Sequence, residues 1–168
     1  QNEYIAALKP IATDGIRARN PDEPLDEGHE SLFRSLLGAA AFALLTRVDV
    51  AVFVVALQRS TTKATWLHIK RLNVVVRYMQ KNPRSLKYGR LSSEVCLFVP
   101  SDSAFKKEED TGHALKGGNY LLIDKSYRQG HKANCHFIEY VCARNRHVTR
   151  STFGAELFAA CDAVDLSM

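Results

Sequence analysis

"STTKATWLHIKRLNVVVRYMQKNP", Ser60 to Pro83, is the stretch on which the fold turns. Trp66, Ile69 and Val76 recur at helical spacing, and the run closes at Asn82-Pro83, where proline has no amide hydrogen to continue a helix. Ser60, Thr61 and Thr62 are the expected N-caps. Beyond Pro83 the period changes. "EVCLFVP", "GGNYLLID" and "CHFIEYVCA" are short runs of strand-forming residues between polar connectors, and they predict a three-stranded meander. Pro83 therefore separates a helical half from a mixed half, and the fold class is α+β.

Before Ser60, the residues Leu32, Phe33, Leu36, Leu37, Ala40, Ala41 and Leu44 recur at spacings of three and four, which predicts a helix over 30–46. Gly38 and the alanines are expected to let another helix approach closely. "VDVAVFVVALQR" is rich in β-branched residues, as strands are, but its length and position favour a second helix. Residues 1–29 contain Pro21, Pro24 and Gly28 and read as an extended lead-in and surface linker. The expected organisation is a linker over 1–29, a helical region over 30–82 and an α/β part over 92–168. In that last part "STFGAELFAACDAVDL" predicts a helix capped by Ser151 or Thr152, with Phe153, Leu157, Ala160 and Val164 as its apolar face.

The chain has 168 residues, 46% of them hydrophobic, enough to bury a core in one domain or two small ones. Its net charge of +5 favours acidic partners, nucleic acid first. The four cysteines show no CxxC spacing and no secretory leader precedes them, so reduced thiols in an intracellular chain, cytoplasmic or nuclear, are expected. The apolar span Leu36–Leu57 carries Arg47 and Asp49 at its centre, each costing about 2.5–3.5 kcal/mol in a bilayer. A buried helix pair is the better reading, with no membrane partner. Gln1 is not an initiator methionine and Met168 follows a helical pattern with no stop signal, so the chain reads as a fragment.

Two carboxylates stand out. Asp102 in "VPSDSAF" lies just past the first expected strand, and Glu156 lies near the start of the final helix. Three strands and their connectors fit between them, so the helix can pack beside the first strand and the carboxylates can converge. Converging carboxylates repel unless a cation sits between them, and an oxygen-only donor set suits Mg²⁺.

From about Glu30 onward the chain resembles the reverse-transcriptase tail and RNase H domain of copia-type LTR retrotransposon Pol polyproteins, particularly divergent dinoflagellate copies. "FRSLLGAAAFALLTRVDVAVFVVALQR" is similar to the family's Y-R-S-L-V-G…T-R-P-D-I helix pair, with Val48 where proline is usual. "TKATWLHIKRLNVVVRYMQKNP" is similar to its H-W-x-x-x-K-R-x-x-R-Y-L helix. "PSDSAF" is similar to Y-S-D-A-D-W, with Ala104 in place of the second aspartate. "STFGAELFAA" is similar to S-S-T-E-A-E-Y-x-A, with Gly154 in place of the earlier glutamate.

The resemblance implies a helical connection region of a reverse transcriptase followed by a truncated RNase H-like part, a three-stranded meander plus helix. It implies a pair of Mg²⁺ ions, with Asp102 and Glu156 as catalytic and metal-binding residues, and hydrolysis of RNA in an RNA–DNA hybrid. Further carboxylates are expected beyond Met168, so this chain is expected to be inactive alone, its partners being nucleic acid and the remainder of the Pol polyprotein. Asp162 and Asp165 do not share Glu156's helix face and are poor substitutes.

Lys63, Lys70 and Arg77, seven residues apart, form an expected phosphate-contacting stripe, and Arg144, Arg146 and Arg150 place further cations before the last helix. Each group also reads as a plain solvated face. "KKEED", 106–110, reads as a solvated loop. A zinc site drawn from His131, Cys135, His136, Cys142 and His147 fits no standard spacing. The competing functional class is a non-catalytic nucleic-acid-binding or packing remnant of a retroelement.

Overall fold

The helix expected before Pro83 forms as α4, Trp66–Lys81, in the computed structural model of the chain, which describes residues 1–13, 20–104, 113–145 and 147–168. "KKEED" and Arg146 lie outside the described residues. The cap of α4 is Thr65, not Ser60, Thr61 or Thr62. Those three residues complete the turn that closes the preceding helix, the Thr61 hydroxyl donating to the Gln58 carbonyl at 2.9 Å. Thr65 is extended and its amide donates to Nδ1 of His68 at 3.0 Å. The first-turn amides of a helix have no carbonyl of their own. Here the linker supplies them: the Pro21 and Glu23 carbonyls accept from the amides of Leu67 and Trp66 at 2.9 and 3.3 Å.

The start of the chain is not extended. Asn2–Ala7 form a helix, α1, that buries Ile5, and the physical reason lies on α4. The Gln80 amide donates to the carbonyls of Ile5 and Leu8 at 3.2 and 2.7 Å, satisfying the open carbonyl end of α1. Two turns back along the same face of α4, buried Asn73 accepts from the Ile11 amide at 2.9 Å and donates to the Ile11 carbonyl at 2.8 Å.

Helix α2 spans Glu27–Ala43, beginning earlier than expected because Asp26 caps it and accepts from the His29 amide at 2.9 Å. Phe33, Leu36, Leu37 and Ala40 are buried as expected, whereas Leu32 is 54% exposed. Gly38 faces open space, so close approach depends on Ala40 and Ala43, both fully buried. The ambiguous segment is helical: a 3-10 turn at Val48–Val50 leads into α3, Ala51–Gln58. Val50, Val54 and Leu57 are buried and α3 packs on α2 and α4, so helix–helix burial overrides the strand preference of valine. No helix among the described residues is long and apolar enough to cross a membrane.

The chain divides into two compact units, Gln1–Ser85 and Leu86–Met168. The second is a four-stranded antiparallel sheet with one long helix. β1, Val95–Phe98, and β2, Ser101–Ala104, pair end to end with the two halves of β3, Leu115–Asp124; β4, Cys135–Arg144, pairs with the other side of β3. β1 and β2 are thus one edge strand interrupted at Val99–Pro100. A proline at an edge removes a single donor, and pairing resumes beyond it. Asp102 therefore lies within a strand rather than just past one. β4 carries one extra residue at Ile138, between the pairs Tyr120–Glu139 and Leu121–Phe137.

Helix α5, Thr152–Asp165, is capped by Ser151, whose Oγ accepts from the Gly154 amide at 3.0 Å. It packs on β2 and β3 with a face other than the expected one. Ala155, Ala159 and Ala163 are buried, while Phe153, Leu157 and Val164 are 76%, 52% and 59% exposed and Ala160 is exposed too. The small stripe wins because the helix lies close to its strands: Ala159 and Ala163 share a narrow gap with Gly118 and Tyr120. Lys116 reaches up from β3 to an ion pair with Asp162.

Candidate active site

Asp102 sits on β2 directly opposite Gly117, exposed, and Glu156 sits half-buried on α5. The fold brings their two elements together, since α5 lies against β2. Neither carboxylate has a hydrogen-bond or ion-pair partner among the described residues. The side chain that turns under α5 is Ser103: it is buried, and its Oγ donates to the Leu115 carbonyl at 3.1 Å. Successive strand side chains point to opposite faces, so Asp102 projects from the face away from α5. Ala155 is buried beneath the helix, and Glu156, about 100° further round, stands to one side of that contact.

The junction between β2 and α5 is held by a residue that sequence reasoning missed. Asn145, 1% exposed just after β4, places its amide group 3.5 Å from both the Ser103 hydroxyl and the Ala155 carbonyl. Its backbone amide donates to the Ala114 carbonyl at 2.8 Å and its carbonyl faces Nδ1 of His113 at 3.0 Å. The side-chain oxygen of Asn145 and the hydroxyl of buried Thr149 have no hydrogen-bond partner among the described residues. In sequence Asn145 lies between arginines, and nothing there separates it from a basic turn.

Two neighbours explain local choices. A Cβ at Gly154 would meet Ser151 Oγ at 3.3 Å and Thr149 Cβ at 3.7 Å, so the cap itself leaves little room for a side chain there. Asp162 is engaged by Lys116, which removes it from any ligand set. Tyr120, whose hydroxyl lies 3.5 Å from the Ala163 carbonyl, has its pKa raised by burial first and by Asp162 second.

The basic residues fall into separate groups. In the first unit Lys63 precedes α4, so it is not part of the helical stripe; Lys70, half-buried, and Arg77, exposed, lie on that helix. In the second unit Arg144 ends β4 and Arg150 precedes the cap of α5, both exposed. The five residues considered for zinc do not converge. Cys135 and His136 pair with successive residues Ile123 and Leu122, His136 Nε2 lies 2.6 Å from the Gly89 carbonyl, and the His147 ring packs 5.4 Å from that of Phe158. Among the described residues no group of three or more His, Cys, Asp or Glu is placed to hold a metal ion.

Comparison with protein-family models, curated proteins and solved structures finds no match to the chain.

Proposed function

We propose that the chain is part of a copia-type retroelement Pol polyprotein, its first unit a reverse-transcriptase connection region and its second an RNase H-like part acting on RNA–DNA hybrids. The observation that carries this reading is the packing of α5, which bears Glu156, on β2, which bears Asp102, after a helical unit in the order the resemblance requires. Free thiols at all four cysteines support a reducing compartment, cytoplasm or nucleus.

Two carboxylates on adjacent elements are donors of the kind Mg²⁺ takes, and neither is engaged by another described side chain, but Asp102 projects from the sheet face that α5 leaves uncovered, so as placed the pair does not close on one ion. A shared ion, which would lower the pKa of water and stabilise a leaving oxygen, requires Asp102 to turn toward α5 and Glu156. The chain's own contribution is positional. Asn145 ties the end of β4 to both β2 and α5, and the Lys116–Asp162 pair fixes the far end of the helix. Arg144 and Arg150 supply cations for phosphates on either side of that junction.

The orientation of Asp102, away from the face that α5 covers, favours a second reading in the same setting: a non-catalytic nucleic-acid-binding remnant. Manganese titration followed by amide NMR separates the two. Paramagnetic broadening centred on both Asp102 and Glu156, removed at both by Asp102→Asn, supports the shared site. Broadening at one alone, or at neither, leaves the remnant.

A further inference from the structure

We propose that the open face of the second unit's sheet binds single-stranded nucleic acid, with bases stacked on Phe98 and Tyr127 and phosphates held by Arg128 and its neighbouring lysines. The cleft is lined by neither Asp102 nor Glu156, although Asp102 projects from the same face four residues along the edge strand from Phe98, so the binding test reads the ring residues and not the carboxylates.

Register places the platform. Phe98 pairs with Leu121, and Leu121 with Phe137, so the three form one cross-strand row on one face. Lys116 and Tyr120, which meet α5, alternate with Leu121 along β3, so the row lies on the face that α5 leaves uncovered. Phe98 is 36% exposed on the face that carries buried Ile123, and Tyr127, in the turn after β3, is 47% exposed. Their centroids are 5.2 Å apart with planes inclined at 55°, a direct ring contact that leaves an outer face of each ring for a base. A cleft of about 590 Å³ lies beside the pair, lined also by Cys96, Ile123 and Arg128. Its volume falls within the range of about 300–1,000 Å³ usual for small-ligand sites, ample for a nucleobase. The aromatic surface continues along β4, where Phe137 and Tyr140 stack at 6.4 Å.

Charge selects the occupant. "KSYRQGHK", Lys125 to Lys132, leads from β3 to β4 and contains no carboxylate. Lys125, Arg128 and Lys132 are exposed and form no ion pair among the described residues. The adjacent carboxylate, Asp124, is engaged: it accepts from the Ser92 amide at 2.7 Å. Exposed rings interleaved with free cations are the combination that binds unpaired bases together with their phosphates. A duplex hides its base faces and meets the cations alone.

Fluorescence polarisation of a labelled 15-nucleotide oligothymidylate, against the same strand in a duplex, tests the site at low salt. The single strand is expected to bind at least tenfold more tightly. Phe98→Ala and Tyr127→Leu should each weaken binding at least fivefold, the lower end of what stacking on one ring contributes. Arg128→Glu, at an exposed position where folding is not at stake, should weaken it at least fivefold and flatten its salt dependence. Circular dichroism melting confirms that each variant is folded. Absent binding, equal binding to duplex, or unchanged affinity in both Arg128→Glu and Tyr127→Leu overturns the proposal.

Discussion

Arg47, wholly buried, lays its guanidinium fork on Asp49, with Nε to Oδ1 at 2.9 Å and Nη2 to Oδ2 at 3.0 Å. Its remaining Nη1 donates to the Met79 carbonyl at 3.0 Å, so one side chain joins the turn after α2 to the last turn of α4. Removing Asp49 leaves the buried guanidinium unmatched, at a cost of about 3–5 kcal/mol. Asp49→Ala should destabilise the first unit by that order, and Arg47→Ala by less from charge, since Asp49 is 24% exposed and keeps Arg84 at 3.8 Å. Urea unfolding followed by Trp66, the single tryptophan and 1% exposed in that unit, measures it. Transitions within 1 kcal/mol of the parent would show that the pair contributes little.

The same unit should lose stability in two acid steps. His68 has its pKa lowered, by burial first and then by Arg71, so its neutral form is favoured in the fold. Its contribution is complete above the ordinary value of 6.5 and fades as pH falls toward the lowered one. Asp49 is lowered chiefly by its hydrogen bond from Arg47, so its contribution is present above 3.8 and fades as pH falls through the lowered value. His68→Gln should remove the first step, and Asp49→Asn the second, in urea midpoints read from Trp66 across pH 7 to 3. A profile unchanged by either substitution contradicts the assignment.

Asn73 holds Ile11 as a strand would, donor to carbonyl and acceptor to amide. Asn73→Ala leaves both backbone groups without that partner in a buried place, an effect of about 1–3 kcal/mol for each. Hydrogen exchange at the Ile11 amide should then accelerate while amides in the middle of α4 keep their protection. Uniform acceleration of both would mean that the clamp and the helix open together.

Helix positions were legible because α2 and α4 each bury one stripe, and 3.6-residue periodicity records which residues form it. The cap of α4 was not, because three hydroxyl residues precede Thr65 and only the linker's carbonyls decide among them. In the sequence Asp102 falls just past the run "EVCLFVP", because the polar residues that follow hide the resumption of pairing beyond Pro100 that an edge strand tolerates. A one-residue change of position reverses the face from which a strand side chain projects. The meeting of β2 and α5 could therefore be read from order and spacing, while the direction of Asp102 could not.

The misread face of α5 gives a contrast that mutation can test. Hydrophobicity ranks Phe153 and Leu157 above alanine, yet Ala159 is 4% exposed and Phe153 76%. Ala159→Leu should overpack the helix–sheet contact and destabilise the second unit by about 1–3 kcal/mol. Phe153→Ala, on the open face, should change stability by no more than about 0.5 kcal/mol. Thermal melts followed by circular dichroism would show the reverse order if the helix were seated on its larger residues.

The isolated 168-residue chain should cleave an RNA–DNA hybrid poorly or not at all in Mg²⁺. Two-metal hydrolysis requires ligands that hold the ions about 3.5–4 Å apart on both sides of the scissile phosphate. Asp102 and Glu156 supply part of that shell, Asp162 is engaged by Lys116, and strand alternation turns Asp102 from the face on which α5 sits. An ion held by so few donors leaves the in-line geometry loose, and a displacement of about 1 Å can cost on the order of a hundredfold in rate. Gel analysis of a labelled hybrid checks this directly. Robust cleavage that disappears in both Asp102→Asn and Glu156→Gln would mean that the two carboxylates converge more closely, and need fewer companions, than this arrangement of β2 and α5 implies.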